Sequence, residues 1–217
     1  MVILDALEEF KDSIIRISGV EEVKETVGRV LNLGVDPLKV LNVLNEALDE
    51  VGRRYERSEY FLSELIMASV LATEVTSLLE PYLVKAGRRP LGRVVIGTVR
   101  GDIHDIGKNI VIMMLRAAGF DVVDLGVDVP AERFVHAISG EGAAVLGMSA
   151  LLTSTVDEMR SVIEAVKKRG LRNGLVIIVG GRPVTKKFSK EIGADGYARD
   201  AVEAVRIVKK LLGIVER

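Results

Sequence analysis

From Leu4 to about Lys85 apolar residues recur at helical spacing: Ile14, Ile15, Val23, Val27, Val30 and Leu31, then Val40, Leu41, Val43, Leu44, Leu48 and Val51, then Leu62, Leu65, Ile66, Ala68, Val70 and Leu71. A repeat near 3.6 puts such residues on one stripe of a helix, so this half is predicted to be all helical. Breaks fall at Ser18-Gly19-Val20, at Gly34-Val35-Asp36-Pro37 and around Arg57-Ser58-Glu59. Asp36 before Pro37 has the form of an N-cap followed by proline at the first helical position. Four helices with short connections predict a small bundle over residues 1–88. Lys85 to Gly92, polar and rich in breakers, reads as a linker.

Beyond the linker the period changes to short β-branched runs separated by amphipathic helices. Strands are predicted at 93–99, 121–125, 143–148, 175–179 and 196–198, and helices at 107–118, 130–139, 153–168, 186–192 and 200–214. This alternation predicts, over 89–217, a doubly wound, five-stranded parallel sheet of flavodoxin-like or Rossmann-like type, covered on both faces. In such sheets ligands sit at the carboxyl ends of the strands, where the strand order reverses. The loops that matter are therefore those after Val99, Met148 and Val179.

Composition narrows the chemistry. The 217 residues are 48% hydrophobic and 28% charged with a net charge of −1, and no run of Lys or Arg exceeds a few residues, which argues against nucleic acid as a partner. With no cysteine, disulfides, iron–sulfur ligation and thiolate catalysis are excluded, and the composition suits a reduced compartment. Acids within the first ten residues oppose a signal peptide. No stretch is expected to reach the roughly 18 apolar residues of a membrane span, so the chain is expected to be cytoplasmic.

The first loop, Gly101-Asp102-Ile103-His104-Asp105-Ile106-Gly107-Lys108-Asn109, holds one of two histidines in the chain. Three readings stand side by side. His104 is a metal ligand whose second ring nitrogen is held by Asp102, or it caps the following helix, or the glycines and Lys108 form a phosphate loop. Against the last, five residues rather than four separate Gly101 from Gly107, and Asn109 replaces the Ser or Thr that would bind magnesium. A zinc hydrolase would need about three protein ligands, and the other histidine, His136, falls in a predicted helix.

Three motifs then converge. Asp102-x-His104-x-x-Gly107, Ser149-x-Leu151 and Gly180-Gly181 each follow a predicted strand, with residues 108–148 and 152–179 between them. In these motifs and their spacing the chain resembles the cobalamin-binding module of cobalamin-dependent methyltransferases, including methionine synthase and the corrinoid proteins of methanol and methylamine metabolism. The resemblance covers essentially the whole chain, because those corrinoid proteins also carry a helical bundle ahead of the sheet.

The resemblance implies a cofactor, cobalamin or a related corrinoid, cycling between cob(I)alamin and methylcobalamin and bound with its nucleotide tail off the cobalt and a protein histidine in its place. It assigns His104 as the lower axial cobalt ligand and Asp102 and Thr155 to a proton relay behind it, Thr155 standing where methionine synthase has serine. Cofactor contacts fall to Gly101, Ile103, Asp105 and Gly107 in the first loop. Gly180 and Gly181 leave room for the tail, Ser149, Leu151 and Thr153 line it, and Ala201 lies beside it; Arg182 stands where a small residue is commoner. The bundle becomes a cap over the methyl group through Tyr55 and Leu62, with Glu46 as a polar contact to the corrin. On residue type alone, Tyr55, Tyr60, Phe61 and Leu62 read as ordinary bundle core, since an aromatic cluster is more often core than a cofactor contact, and it is the downstream motifs that favour the cap. The implied function is a methyl carrier, not catalytic alone, shuttling between a substrate-specific methyltransferase and an acceptor methyltransferase, with a reductive activation protein as a further partner and no membrane. The alternative is a cobalamin-dependent sensor or regulatory module.

Overall fold

The computed structural model describes residues 2–85 and 90–214. The chain divides into two units, 1–89 and 90–217.

In the first unit α1 (Val2–Ile15), α2 (Val20–Asn32), α3 (Pro37–Glu56) and α4 (Leu62–Lys85) form the bundle. Their stripes meet in a core of Phe10, Ile14, Val27, Val30, Leu41, Leu44, Leu65 and Leu71, all buried. The predicted cap is present: the Leu38 N–H donates to Asp36 Oδ1 at 2.9 Å, and Pro37 opens α3. One expectation fails here. Within α4, Leu62–Leu79 averages a mean hydropathy of 1.5 over 18 residues, which by length and composition is enough to cross a membrane. Its apolarity has a local cause, because Leu65, Ala68, Leu71, Ala72, Val75 and Leu79 are buried as the core stripe of the helix.

The second unit alternates β1 (Arg93–Thr98), α5 (Ile106–Ala117), β2 (Asp121–Asp124), α6 (Ala131–Glu141), β3 (Val145–Ser149), α7 (Glu158–Lys168), β4 (Val176–Gly180), α8 (Lys186–Ile192), β5 (Gly196–Ala198) and α9 (Ala201–Leu211). The strands are parallel in the order β2-β1-β3-β4-β5, so the order reverses between β1 and β3, as in doubly wound folds. Helix α5 packs on α9, and α6 on α7, giving the two helical layers. Val95, Leu146, Ile177, Val179, Phe134, Met159 and Ile163 form the core between the sheet and the α6/α7 layer.

Register sets the level of the site. Thr98 pairs with Ser149, Ser149 with Gly180, and Gly180 with Ala198, so four strands reach their carboxyl ends in one row. Element ends lie within about three residues of the predicted ones with one exception. Helix α7 begins at Glu158, whereas the hydrophobic pattern predicts a start at Thr153; residues 153–157 form a turn instead.

Candidate functional site

The β1–α5 loop opens with a tight turn in which the Asp102 N–H donates to the Val99 carbonyl at 3.2 Å. Gly101, the third residue of that turn, has φ +79°, a conformation that glycine adopts without steric cost. The turn drops the Asp102 side chain into the protein, fully buried, while Ile103, His104, Asp105, Ile106 and Gly107 stay exposed. Thr98 Oγ1 donates to the His104 carbonyl at 2.9 Å and ties the loop to the end of β1. The His104 ring lies 2.8 Å from Asp102 through Nδ1 and Oδ1, with its side chain 47% exposed. Nε2 has no partner among the described residues. A carboxylate on Nδ1 places the proton of the neutral ring there and leaves the Nε2 lone pair facing outward.

Asp102 is the centre of the arrangement. Its Oδ1 also accepts from the His104 N–H at 3.1 Å, and its Oδ2 accepts from the Leu151 N–H at 2.7 Å, the Leu152 N–H at 3.1 Å and Thr155 Oγ1 at 2.9 Å. Burial alone would push this carboxyl up, but the donors from Leu151, His104 and Leu152 outweigh it and hold the group well below the ordinary carboxylate range. The same bonds explain the late start of α7. Residues 151–155 are taken up in presenting two N–H groups and one hydroxyl to Asp102, with the Thr155 N–H turned back to the Leu152 carbonyl, so the helix waits until Glu158.

At the next strand end a Cβ on Gly181, at φ +125°, would lie 1.8 Å from the Ala150 carbonyl oxygen, and one on Gly180 would lie 3.0 Å from that of Ala198. Only glycine fits at 181, where the β3 and β4 ends approach this closely, while Gly180 is tight against the end of β5. A Cβ on Gly107, by contrast, would meet nothing within 4 Å, so the packing of the chain itself does not require glycine there. Ser149 is half-buried at the end of β3, Thr153 is exposed in the turn before α7, and Ala201 is buried at the start of α9 behind Asp200, which caps that helix. Arg182 is exposed. Around His104 the structure adds apolar side chains that the sequence reading did not single out: Ile106 at 75% exposure and Leu152 stand out beside Ile103 and Leu151.

Two alternatives for this loop are removed. Lys108, the lysine a phosphate loop would extend toward its ligand, is buried and pairs with Asp124 at 2.7 Å. Among the described residues no group of three or more His, Cys, Asp or Glu side chains is placed to hold a metal ion, and His136 lies exposed on α6. The loop offers a single outward imidazole.

In the bundle, Tyr60 Oη donates to the Ile15 carbonyl at 2.6 Å and receives Arg54 Nη1 at 3.1 Å, which fixes the α3–α4 corner. Tyr55 is half-buried, but Phe61 is 72% exposed and Leu62 44%, so the last two are not bundle core. Glu46 is exposed and ion-paired with Lys11.

A family profile described as a B12 binding domain matches residues 92–206, and a second profile of the same description matches residues 6–80. This chain belongs to the B12-binding proteins. Among relatives of this corrinoid protein is dimethylamine corrinoid protein 3 of Methanosarcina acetivorans, 41% identical over 95% of this chain and 96% of the relative. A solved cobalamin-binding protein from Desulfitobacterium hafniense is 31% identical, with a TM-score of 0.82 over 94% of this chain and 97% of that one. The methanol:cobalamin methyltransferase complex of Methanosarcina barkeri includes a chain that is 28% identical, with a TM-score of 0.79 over 97% of this chain and 81% of that one. The cofactor of this corrinoid protein is cobalamin or a related corrinoid. Its residues fit such a group: one exposed imidazole held through Nδ1 with Nε2 unengaged among the described residues, a glycine whose missing Cβ faces open space, and exposed apolar side chains in the same loop and at the end of β3.

Asp128 is the residue that sequence reasoning missed at this site. Its Oδ1 accepts the Gly101 N–H at 2.7 Å. It lies after β2, a strand end outside the three loops the pattern marked for inspection, and its one signal is being an acid at the carboxyl edge of the sheet.

Proposed function

We propose that this corrinoid protein is a cytoplasmic methyl carrier that binds its cofactor through His104, in the base-off, histidine-on mode, and presents it in turn to a substrate-specific methyltransferase and an acceptor methyltransferase. A reductive activation protein is the third partner. The observation that carries the reading is the Asp102–His104 pair at 2.8 Å on an exposed loop, which engages Nδ1 and leaves Nε2 without a partner among the described residues. The corrinoid family, the relatives named as dimethylamine corrinoid proteins and the relative solved within a methanol:cobalamin methyltransferase complex support the setting.

When bound, the corrinoid supplies the cobalt to which a methyl group is attached. The chain supplies the rest. His104 would hold the cobalt through Nε2, and Asp102 would hold the proton on Nδ1, fixing the ring orientation and raising the donor strength of Nε2. Thr155 Oγ1 extends the hydrogen-bond chain to a second residue through Asp102 Oδ2. The reading assigns Gly101, Ile103, Asp105 and Gly107 to the surface facing the ring, Ser149, Leu151 and Thr153 to the tail, and Gly180, Gly181 and Ala201 to the space beside it. In the bundle it assigns Tyr55 and Leu62 to covering the methyl group, and Glu46 to a polar contact.

Reconstitution with hydroxocobalamin, gel filtration and visible spectroscopy of wild type and His104→Ala test this. Coelution of about one corrinoid per chain, with an imidazole-ligated spectrum that His104→Ala loses, is the expected result. A spectrum indifferent to His104→Ala would sink the assignment of His104 as ligand.

A further inference from the structure

Asp128 is a non-glycine residue at φ +52°, in the left-handed region. A side chain held there costs about 1 kcal/mol or more, and asparagine and aspartate tolerate it best. Two bonds hold it. Its carboxylate Oδ1 accepts the Gly101 N–H at 2.7 Å, and its own N–H donates to the Asp102 carbonyl at 2.9 Å. The two main-chain groups it engages flank the Gly101–Asp102 segment that turns the Asp102 side chain inward. Its neighbour Val129 is anchored by an N–H donated to the Thr98 carbonyl at 3.0 Å and a bridge to Val99. The β2–α6 connection is thus pinned to the end of β1, and Asp128 reaches from it to bracket the turn.

From this we infer that Asp128 is a positioning residue for His104. It clamps Gly101 and Asp102 so that the Asp102 carboxylate meets Nδ1 and the ring is held in one tautomer and one orientation. The inference rests on the reading of His104 as the cobalt-facing ligand, and it assigns to the β2–α6 connection a part in the lower side of the site. The clamp has two strands with different chemistry. The N–H to the Asp102 carbonyl survives any substitution but proline, whereas the bond to Gly101 needs a side-chain acceptor of aspartate length.

Asp128→Gly and Asp128→Asn separate these contributions. Glycine relieves the positive φ and keeps the backbone bond, so it removes only the acceptor; asparagine keeps an acceptor oxygen at the same reach and tolerates the same backbone. The full chain has two histidines, so with ¹⁵N-labelled histidine the His104 ring nitrogens are assigned by comparison with His104→Ala. In wild-type apoprotein, at a pH where the ring is neutral, two widely separated nitrogen shifts of a single tautomer are expected. Asp128→Gly should draw the two shifts together, and after loading with hydroxocobalamin its ratio of imidazole-ligated to unligated corrinoid should fall about tenfold, the low end for losing a supporting residue at a metal ligand. Asp128→Asn should match wild type in both. The proposal is overturned if Asp128→Gly keeps the wild-type separation, if Asp128→Asn converges as glycine does, or if wild type is already averaged. Should Asp128→Gly fail to fold, Asp128→Asn decides alone: retention supports the clamp and convergence overturns it. A wild-type holoprotein without an imidazole-ligated spectrum would fail the reading of His104 as ligand, while the apoprotein shifts still judge the clamp.

Discussion

The β1–α5 loop and the α3–α4 corner are both short exposed connections that carry proposed cofactor residues, yet they are built on opposite terms. In the loop one buried carboxylate takes bonds from His104, Leu151, Leu152 and Thr155, and each bond constrains both distance and direction. In the corner the polar bonds of Arg54, Tyr60 and Glu64 shape the backbone, and the residues left over, Phe61 and Leu62, present apolar surface to solvent. A ligand atom to be coordinated demands directed bonds, whereas a surface to be kept dry demands only area. The corner can therefore drift in side-chain identity, provided it stays apolar, while the loop cannot.

The comparison breaks first at Asp102. Replacing it with alanine leaves three N–H groups, a buried hydroxyl and the His104 ring without their acceptor, and a loss of about 3–5 kcal/mol is expected in chemical denaturation. An effect below about 1 kcal/mol would mean that the carboxylate is not the centre of the loop. The same group gives a sign in pH. Its carboxyl is held below the ordinary range when folded, so the stability it contributes is fully present above the unfolded value of about 3.9 and is lost as pH falls from there toward the native value. The stability gap between wild type and Asp102→Asn should stay level from about pH 7 to 5 and narrow below about pH 4.

Gly181→Ala comes next. Its Cβ would sit 1.8 Å from the Ala150 carbonyl oxygen at a backbone angle unsuited to alanine, so the β3 and β4 ends must separate, at a cost of about 2–3 kcal/mol in thermal or denaturant unfolding. Smallest is Leu62→Ser, at the exposed residue assigned to covering the methyl group. A side chain this exposed contributes little to folding, so unfolding free energy should change by no more than about 0.5 kcal/mol. Its expected effect is on the loaded protein instead, as faster reaction of reduced or methylated cofactor with solvent, followed by visible spectroscopy. A large loss of stability with no such change would make the corner structural and dissolve the contrast.

Much of this was legible in the chain. The change of hydrophobic period marked the bundle and the alternating unit, and Asp102 two residues before His104 marked the pair, because both signals are local. Helix α7 was misplaced for a non-local reason. The apolar spacing continues smoothly through Thr153, but Asp102, some fifty residues upstream, claims the N–H groups and hydroxyl of 151–155. Asp128 went unnoticed on the same ground, since its meaning lies in a bond to Gly101 across 27 residues. The α4 stretch is less legible, because Glu64, Glu74 and several small and hydroxylated residues interrupt the apolar run while its mean hydropathy over 18 residues stays at 1.5.

The row of strand ends, Thr98, Ser149, Gly180 and Ala198, has a consequence for how such a chain can change over time. Neighbouring strands stand about 4.8 Å apart, so the row is a shelf about 14 Å long whose level is fixed by strand register. Lengthening a covering helix or its far-side loop leaves the shelf where it is. One residue inserted into β3 would carry Ser149 about 3.3 Å out of the row and turn every following side chain to the other face. Length variation is thus free in the crossovers and forbidden in the strands, and the intervals between the motifs are open to drift while the motifs remain level with one another.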